Sequence, residues 1–304
     1  MGLFRPTETG SLAHVSDFRL GIGGAESNVA IALTRLGTPA RWVGRVGADP
    51  IGRRVTRELL AEGLEVLAIV DDTAPTGMMV KELRTADAAR VLYYRAGSAG
   101  SRLSPADVAT ADIGGAALLH VTGITPALSD SARDAVIAAV RVATEAEVPV
   151  SFDVNHRESL WAGRDPAPTY RDIAARSDIV FAGEDEARIL VPAAANPLEQ
   201  AHAIAALGPT QVIIKLGPDG CVALVDGVEY VRAAIPIRAV DTVGAGDAFV
   251  AGYLAELLAG LAAADRLTTA VTLGAFACLN LGDWEGYPRR DELGLLNRSE
   301  PVQR

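Results

Sequence analysis

The sequence predicts an α/β protein, with a mostly parallel central sheet sandwiched by helices and a small β-sheet lid. Three observations predict it. From Ala116 onward, short apolar strand-like runs alternate with segments of helical period, the pattern of repeated β–α units. Between Leu64 and Tyr94 the helical period disappears, and short β-like runs separated by turn residues replace it. Near the C-terminus, Val240–Leu258 (VDTVGAGDAFVAGYLAELL) passes from a glycine-rich turn straight into an amphipathic helix. Residues 1–304 read as a single domain, with the lid formed by about 13–22 and 64–96.

Taken in order, Met1-Gly2-Leu3-Phe4 reads as the tail of a strand and His14–Ile22 as a second, short strand. Gly23–Leu36 turns helical, with Val29, Ala30, Leu33 and Leu36 on one face and Gly37 as its stop. Ala40–Val46 is a strand, and Ile51–Leu60 a helix closed by Gly63. Val66–Val70, Gly77–Leu83 and Val91–Tyr94 form an antiparallel block inserted into the α/β core. Then come the strand Leu118–Thr122, the helix Asp130–Glu145, the strand Val148–Asp153 and the short helix Tyr170–Arg176. Strand Ile179–Phe181, helices Glu184–Leu190 and Ala201–Leu207, and strand Gln211–Lys215 follow. Cys221–Val225 and Glu229–Val231 make a hairpin turned at Asp226-Gly227, and two helices close the chain, the second over Ala262–Leu281.

At 304 residues the chain can bury a large core. Its net charge of −10, with both signs interspersed, argues against a nucleic-acid or anionic-membrane surface, so any anion site must be built locally. Cys221 and Cys278 are too few for a disulfide framework and fit a reducing compartment. No apolar run reaches membrane-spanning length, and MGLFRPTETG has no signal-peptide core. A cytoplasmic protein acting on a small molecule is expected.

Gly244, Ala245 and Gly246 strip side chains from the place where a helix begins, and its unpaired N–H groups and dipole suit a phosphate. Asp247 beside such an anion hole makes sense as the base that deprotonates an attacking hydroxyl. The plainer reading, an acidic first-turn residue after a glycine-rich loop, explains it equally well on this stretch alone. Other polar residues also follow predicted strands, where an α/β sheet places its site: Asn155 and Arg157, Gly183 through Glu186, Lys215 and Gly217, and Asp241. No P-loop is present, and Gly21–Glu26 lacks the last glycine of a dinucleotide fingerprint. The four histidines show no metal-ligand spacing.

Asp241-Thr242-Val243-Gly244-Ala245-Gly246-Asp247 resembles the C-terminal signature of the ribokinase, or phosphofructokinase-B, family of carbohydrate kinases. Gly23-Gly24-Ala25-Glu26-Ser27-Asn28-Val29-Ala30, continued by Gly37 and Gly44-Arg45-Val46-Gly47, is similar to its N-terminal signature, about two hundred residues earlier. Within the family, Tyr93–Ala99, His120–Leu128, Asp153–Arg157 with Leu160-Trp161, and Gly282–Gly286 resemble the 2-keto-3-deoxygluconate kinase branch. The resemblance implies a ribokinase-like fold and ATP-dependent phosphorylation of a sugar's terminal hydroxyl, with Mg²⁺ and, in this family, K⁺. It implies Asp247 as general base and the N–H groups of Gly244, Ala245 and Gly246 as the anion hole. Lys215, Gly217 and Gly220 match the turn that touches ATP. Glu186 matches the acidic member of an N-x-x-E element that helps hold Mg²⁺ through water, although Gly183 stands where Asn is usual. Asp241 and Val243, with carbonyls of Ala277, Asn280 and Gly282, resemble a monovalent-cation loop.

For the sugar, the resemblance implies Gly24, Asn28, Tyr94, Arg95, Ile124, Asn155, Arg157 and Asp283. Arg95 and Arg157 suit the carboxylate of a sugar acid, a charge that neutral-sugar kinases do not need to meet. Tyr93 and Tyr94 alternate faces in a strand, so only one of them reaches the sugar. Met79 replaces a lid Tyr of that branch, and His156 a Tyr beside the Asn-x-Arg arginine. The family's Gly-Glu or Gly-Asp strand front has no counterpart; a chain truly starting at Met1 would lose part of a strand and a wall of the pocket, and a misplaced start codon or a trimmed sequence explains the absence more cheaply. The leading expectation is the 6-phosphate of 2-keto-3-deoxygluconate. The alternatives are another substrate, such as fructose or a related keto-deoxy acid, and a non-catalytic sugar or nucleotide sensor. Apolar Val66, Ile69, Met78 and Val80 point to a homodimer or higher assembly through the lid.

Overall fold

The computed structural model describes residues 1–85 and 88–297. The central layer is a six-stranded sheet assembled from β7 (Leu119–Thr122), β8 (Val150–Asp153), β9 (Ile179–Gly183), β10 (Gln211–Lys215), β11 (Cys221–Val225) and β12 (Val228–Arg232). β7 to β10 are parallel neighbours, and β10–β11–β12 continue antiparallel. The parallel strands read VSFD, IVFAG and QVIIK, near-continuous apolar runs, because both of their faces are covered. Side-chain alternation divides them between two cores. Ile179, Phe181 and Ile213 face one core, with Val29, Ile31, Val250 and Leu254. Phe152, Val180, Ala182, Val212 and Ile214 face the other, with Val136, Ile173, Leu190 and Ile204.

The first core is roofed by α1 (Ala25–Arg35), α10 (Ala245–Leu258) and α11 (Ala263–Cys278); α2 (Pro50–Ala61) packs beside it. α10 is apolar on nearly every side, with ten consecutive buried residues from Asp247 to Glu256, because it is wedged between sheet and α11. The amphipathic pattern expected there is therefore only the exposed last turn. The second core is covered by α5 (Asp130–Glu145), α7 (Ala167–Ala175), α8 (Glu184–Leu190) and α9 (Pro197–Ala205), with short α3 (Pro105–Val108), α4 (Thr125–Leu128) and α6 (Glu158–Trp161) at its edges.

The lid differs from its sequence expectation. It is a four-stranded sheet in the order β2 (Phe18–Ile22), β1 (Gly2–Pro6), β5 (Met78–Thr85), β6 (Ala88–Tyr94). The first strand thus belongs to the lid. Conversely, β4 (Glu65–Asp71), expected inside the lid at 64–96, pairs parallel with β3 (Arg41–Gly47). Its half-buried run (VLAIV) packs through Val66 and Leu67 on the two cores rather than presenting one wet face. Consequently Val66 and Ile69 are not lid residues. β3 and β7 do not pair, and a groove lined by Val29, Trp42, Val43, Leu119, His120 and Ala135 separates them.

Candidate active site

The turn before α10 is held open by a glycine that nothing else could replace. Gly244 caps the helix at φ 77°, in left-handed conformation, and a Cβ there would overlap the Asp283 carbonyl oxygen. Its own carbonyl accepts the Tyr287 hydroxyl at 2.7 Å. The Ala245 N–H is taken by the Thr242 carbonyl at 3.3 Å. Among the described residues no acceptor meets the N–H groups of Gly244, Gly246 and Asp247, which leaves these three as free donors at the helix start. Of the expected Gly244–Gly246 trio only the Ala245 N–H is thus occupied, and the Asp247 N–H adds a further free donor at the same helix start.

Asp247 sits at the inner end of a pocket of about 450 Å³ lined by body and lid together. Asn28, on the first turn of α1, donates to its Oδ2 at 2.8 Å, and Asn155 donates to its Oδ1 at 3.2 Å. Burial pushes the Asp247 carboxyl up to about 7; the Asn28 hydrogen bond and Lys215 pull it down, while Asp153 and Asp283 push it further up. Asn155 adopts φ 38°, a left-handed conformation that Asn tolerates better than most residues. That twist swings its amide from the end of β8 toward Asp247.

On the opposite side of Asp247, the Lys215 ammonium lies 2.7 Å from Asp153 Oδ1. Burial works against its charge, but Asp153, Glu186 and Asp247 outweigh burial and hold it protonated above the ordinary lysine range. An added Cβ at Gly246 would stand 3.8 Å from Nζ, so the cation faces the turn. Lys215 also lines a second cleft, with Gly183, Glu186, Pro197 and Asp219. Glu186 is fixed there: Oε2 accepts from the Gly183 N–H at 2.6 Å and Oε1 from the His156 N–H at 2.8 Å. Gly217 and Gly220 bracket the turn between β10 and β11 at φ 57° and 97°, shaping the cleft's rim without lining it.

Arg95, Arg157, Gly24, Ile124 and Asp283 all line the large pocket. The Arg95 guanidinium lies 4.2 Å over the Tyr93 ring, 7% exposed, and its Nε and Nη2 have no hydrogen-bond partner. Burial lowers its pKa, with Arg157 acting in the same direction against the favourable pull of Glu26. Arg157 is more exposed, and its Nη1 donates to the His156 carbonyl at 2.9 Å. Burial pushes the Asp283 carboxyl up to about 6, helped by Glu285 and opposed by Lys81. Tyr94 is misplaced in the sequence expectation: it is 60% exposed on the outer face of the lid, and Tyr93, the cross-strand partner of buried Met79, is the ring that lines the pocket.

Asp241 stands where the cation loop was expected. Its Oδ1 accepts from the Val243 N–H at 3.2 Å and its Oδ2 from the Gly282 N–H at 3.3 Å and from the Lys81 ammonium. Ala277 is buried near the end of α11, and Asn280 and Gly282 lie in the loop beyond it. Sequence reasoning passed over three residues. Glu26 Oε1 accepts the hydroxyls of Thr122 and Thr125, each at 2.7 Å, and so joins α1 to β7 and α4. Asp153 was treated as a strand end rather than as the partner of Lys215. The third is Lys81: it and Lys215 are the only lysines among 28 basic residues, a signal visible in the composition.

A buried carboxylate beside free helix N–H groups, with an ammonium close by and a pocket lined by lid and body, is an arrangement suited to phosphoryl transfer to a hydroxyl. Residues 2–290 match the pfkB family carbohydrate kinase, and the chain belongs to that family. It is similar to the 2-dehydro-3-deoxygluconokinase of Bacillus subtilis, 36% identical over 297 residues, covering 96% of this chain and 91% of that protein. The 2-dehydro-3-deoxygluconokinase of Thermoproteus tenax is 36% identical over 92% of this chain and 86% of its own. Among solved structures, a PfkB protein from Polaromonas matches with TM-score 0.87 at 34% identity, covering 97% of this chain and 96% of that one. The fructokinase of Vibrio cholerae, solved with fructose, ADP and calcium, matches with TM-score 0.83 at 25% identity over 97% and 96%. The fold is thus ribokinase-like, and the chain is a carbohydrate kinase. Among the described residues no helix is long and apolar enough to cross a membrane.

Proposed function

We propose that the protein transfers the γ-phosphoryl group of ATP to the terminal hydroxyl of a 2-keto-3-deoxy sugar acid, 2-keto-3-deoxygluconate, giving its 6-phosphate. The observation that carries the acid is Arg95: a buried guanidinium with two nitrogens unpartnered, lining the same pocket as Asp247. An unpaired buried cation is costly, and a substrate carboxylate is the group that relieves it. Relatives named for this sugar acid support the reading, as does a 2-dehydro-3-deoxygalactonokinase of Haloferax volcanii at 34% identity.

In this reading the sugar lies between lid and body, against Gly24, Ile124, Tyr93, Arg157 and Asp283. Its terminal hydroxyl gives its proton to Asp247 as it attacks the γ-phosphorus. Asn28 and Asn155 hold the carboxylate in line, and a carboxyl pushed up to about 7 is a stronger base than an ordinary aspartate. The N–H groups of Gly246 and Asp247 meet the charge that develops on the transferring group, and Lys215 adds a fixed positive charge. No cluster of three acidic, His or Cys side chains among the described residues could hold a metal alone. This fits Mg²⁺ held mainly by phosphates and water, with Glu186 in its outer shell, where the ion would neutralise phosphate charge. The lid as a dimer surface also remains a proposal. Leu20, Phe4, Val80 and Leu92 form one cross-strand apolar row, with exposed Phe18 and Tyr94 on the same sheet. Two free cysteines accord with a reducing, cytoplasmic setting.

The test is ATP consumption over a panel of sugars: 2-keto-3-deoxygluconate, its galacto epimer, fructose and ribose. The acids should be preferred over both neutral sugars. Turnover of fructose above either acid would overturn the substrate class; no turnover of any panel member would favour a sensor.

A further inference from the structure

Lys81 is a buried cation for which phosphoryl transfer assigns no task. It lies on β5 of the lid, 1% exposed, and its ammonium contacts Asp241 Oδ2 on the body, 160 residues away in sequence. Both side chains are almost fully enclosed, at 2% and 6% exposure. The Asp241 carboxylate also accepts the N–H groups of Val243 and Gly282, so it binds three segments: the lid, the approach to Gly244, and the loop that ends at Asp283. Gly244 packs on the Asp283 backbone, so these segments shape the turn that holds the reacting phosphate.

The loop of Asp241, Val243, Ala277, Asn280 and Gly282, which resembles a monovalent-cation site, does not fit an obligatory K⁺ here. Its carboxylate, the one charged group of that loop, is already neutralised by an ammonium. Composition points the same way. The chain writes 26 of its 28 basic residues as arginine and keeps lysine at just two places, both lining this pocket and each paired with an enclosed aspartate carboxylate. A compact ammonium is a point charge close to K⁺ in size and valence, whereas a guanidinium is a broad planar fork.

We infer that Lys81 is a positioning residue that acts as a tethered monovalent cation: lid closure delivers its ammonium to Asp241, sets the Asp241–Gly244 loop, and makes the enzyme independent of K⁺. The inference rests on the phosphoryl-transfer reading of the Gly244–Asp247 turn, but not on which sugar is taken. It predicts that opening the lid withdraws the charge and loosens the anion-binding turn, so lid and phosphate site are coupled.

Wild type, Lys81→Met and Lys81→Arg are compared in KCl, NH4Cl and tetramethylammonium chloride at equal ionic strength, by Tm without substrate and by kcat and KM for ATP. Wild type should differ by less than about twofold in kcat between salts and show no K⁺-specific rise in Tm. Lys81→Met should lose about tenfold or more in kcat, with a smaller change in KM, and K⁺ or NH4⁺ should restore part of the loss and raise Tm. Lys81→Arg should fall below wild type yet ignore K⁺. A wild-type kcat that rises about tenfold in KCl, or a Lys81→Met enzyme with normal kcat, overturns the proposal. If Lys81→Met does not fold, the wild-type salt comparison decides alone. If no panel sugar is turned over, the function reading fails, and a K⁺-specific rise in wild-type Tm still overturns this one.

Discussion

Replacing Asp247 by Asn separates catalysis from stability in a way that few single substitutions do. In the proposed reading, the change removes the base and keeps the shape. A positioned general base contributes roughly 10²–10⁴ in rate, about 3–5 kcal/mol at 1.36 kcal/mol per tenfold, so kcat should fall by that factor. Stability should move the other way at high pH. Burial pushes the folded-state carboxyl up to about 7 from an ordinary value of 3.8, so the unfolded chain releases this proton first. Stability of the wild type therefore falls as pH rises through that window, is undiminished below about 4, and carries the full penalty above about 7. The distance between the two values sets a ceiling of about 4 kcal/mol on that penalty. Asn escapes it, but its amide turns one N–H toward Asn28 or Asn155, both of which donate to the carboxylate, at a cost of about 1–3 kcal/mol. At pH 8 the variant should melt at or above the wild-type temperature while turning over at least about a hundredfold more slowly. Circular-dichroism melts and initial rates on the same preparation measure both. A folded Asn variant within about tenfold of wild-type kcat would refute the role of Asp247 as base.

Three other outcomes follow from named contacts. In the proposed reading, the kcat/KM of wild type should rise with pH through about 7 as Asp247 ionises, and Asp283→Asn, replacing a carboxyl that burial pushes up only to about 6, should keep that limb. Arg95→Met should raise the KM for a sugar acid by about 10–100-fold, in line with one lost charge-assisted hydrogen-bond pair, while leaving turnover of a neutral sugar little changed. Gly244→Ala should lower both Tm and kcat, because the new Cβ meets the Asp283 carbonyl and φ 77° strains any L side chain; a variant with wild-type values of both would contradict the geometry.

What the sequence could and could not disclose divides along physical lines. The helix starts, the β–α alternation and the glycine turn before Asp247 are local patterns, and the local pattern decides them. Which sheet a strand joins is not local. Glu65–Asp71 is as strand-like as Met78–Thr85, but only the parallel partner at Arg41–Gly47 takes it out of the lid. The choice between Tyr93 and Tyr94 has the same origin. Alternation says that one faces the sugar, while the pairing of Tyr93 with buried Met79 says which. Lys215–Asp153, Asn28–Asp247 and Lys81–Asp241 join residues 62, 219 and 160 apart. Each would have needed the fold first, except that two lysines in an arginine-rich chain already mark where an ammonium is required.

In the proposed reading, the electrostatics of the pocket require both body and lid for the chemistry. The body alone places Asp153, Asp247 and Asp283 together, with Lys215 as their cation, and burial raises the carboxyl of Asp247. A sugar acid and a nucleotide would each add negative charge to this acidic floor. The lid supplies the opposite sign at two points, Arg95 toward the pocket and Lys81 toward Asp241. In the proposed reading, closure would therefore do more than exclude water: it would bring the positive charge that lets two anions and a carboxylate base share one pocket. An open lid leaves the base but removes the reason for a second anion to enter. Substrate affinity and lid closure should accordingly be one equilibrium, shifted by either Arg95 or Lys81.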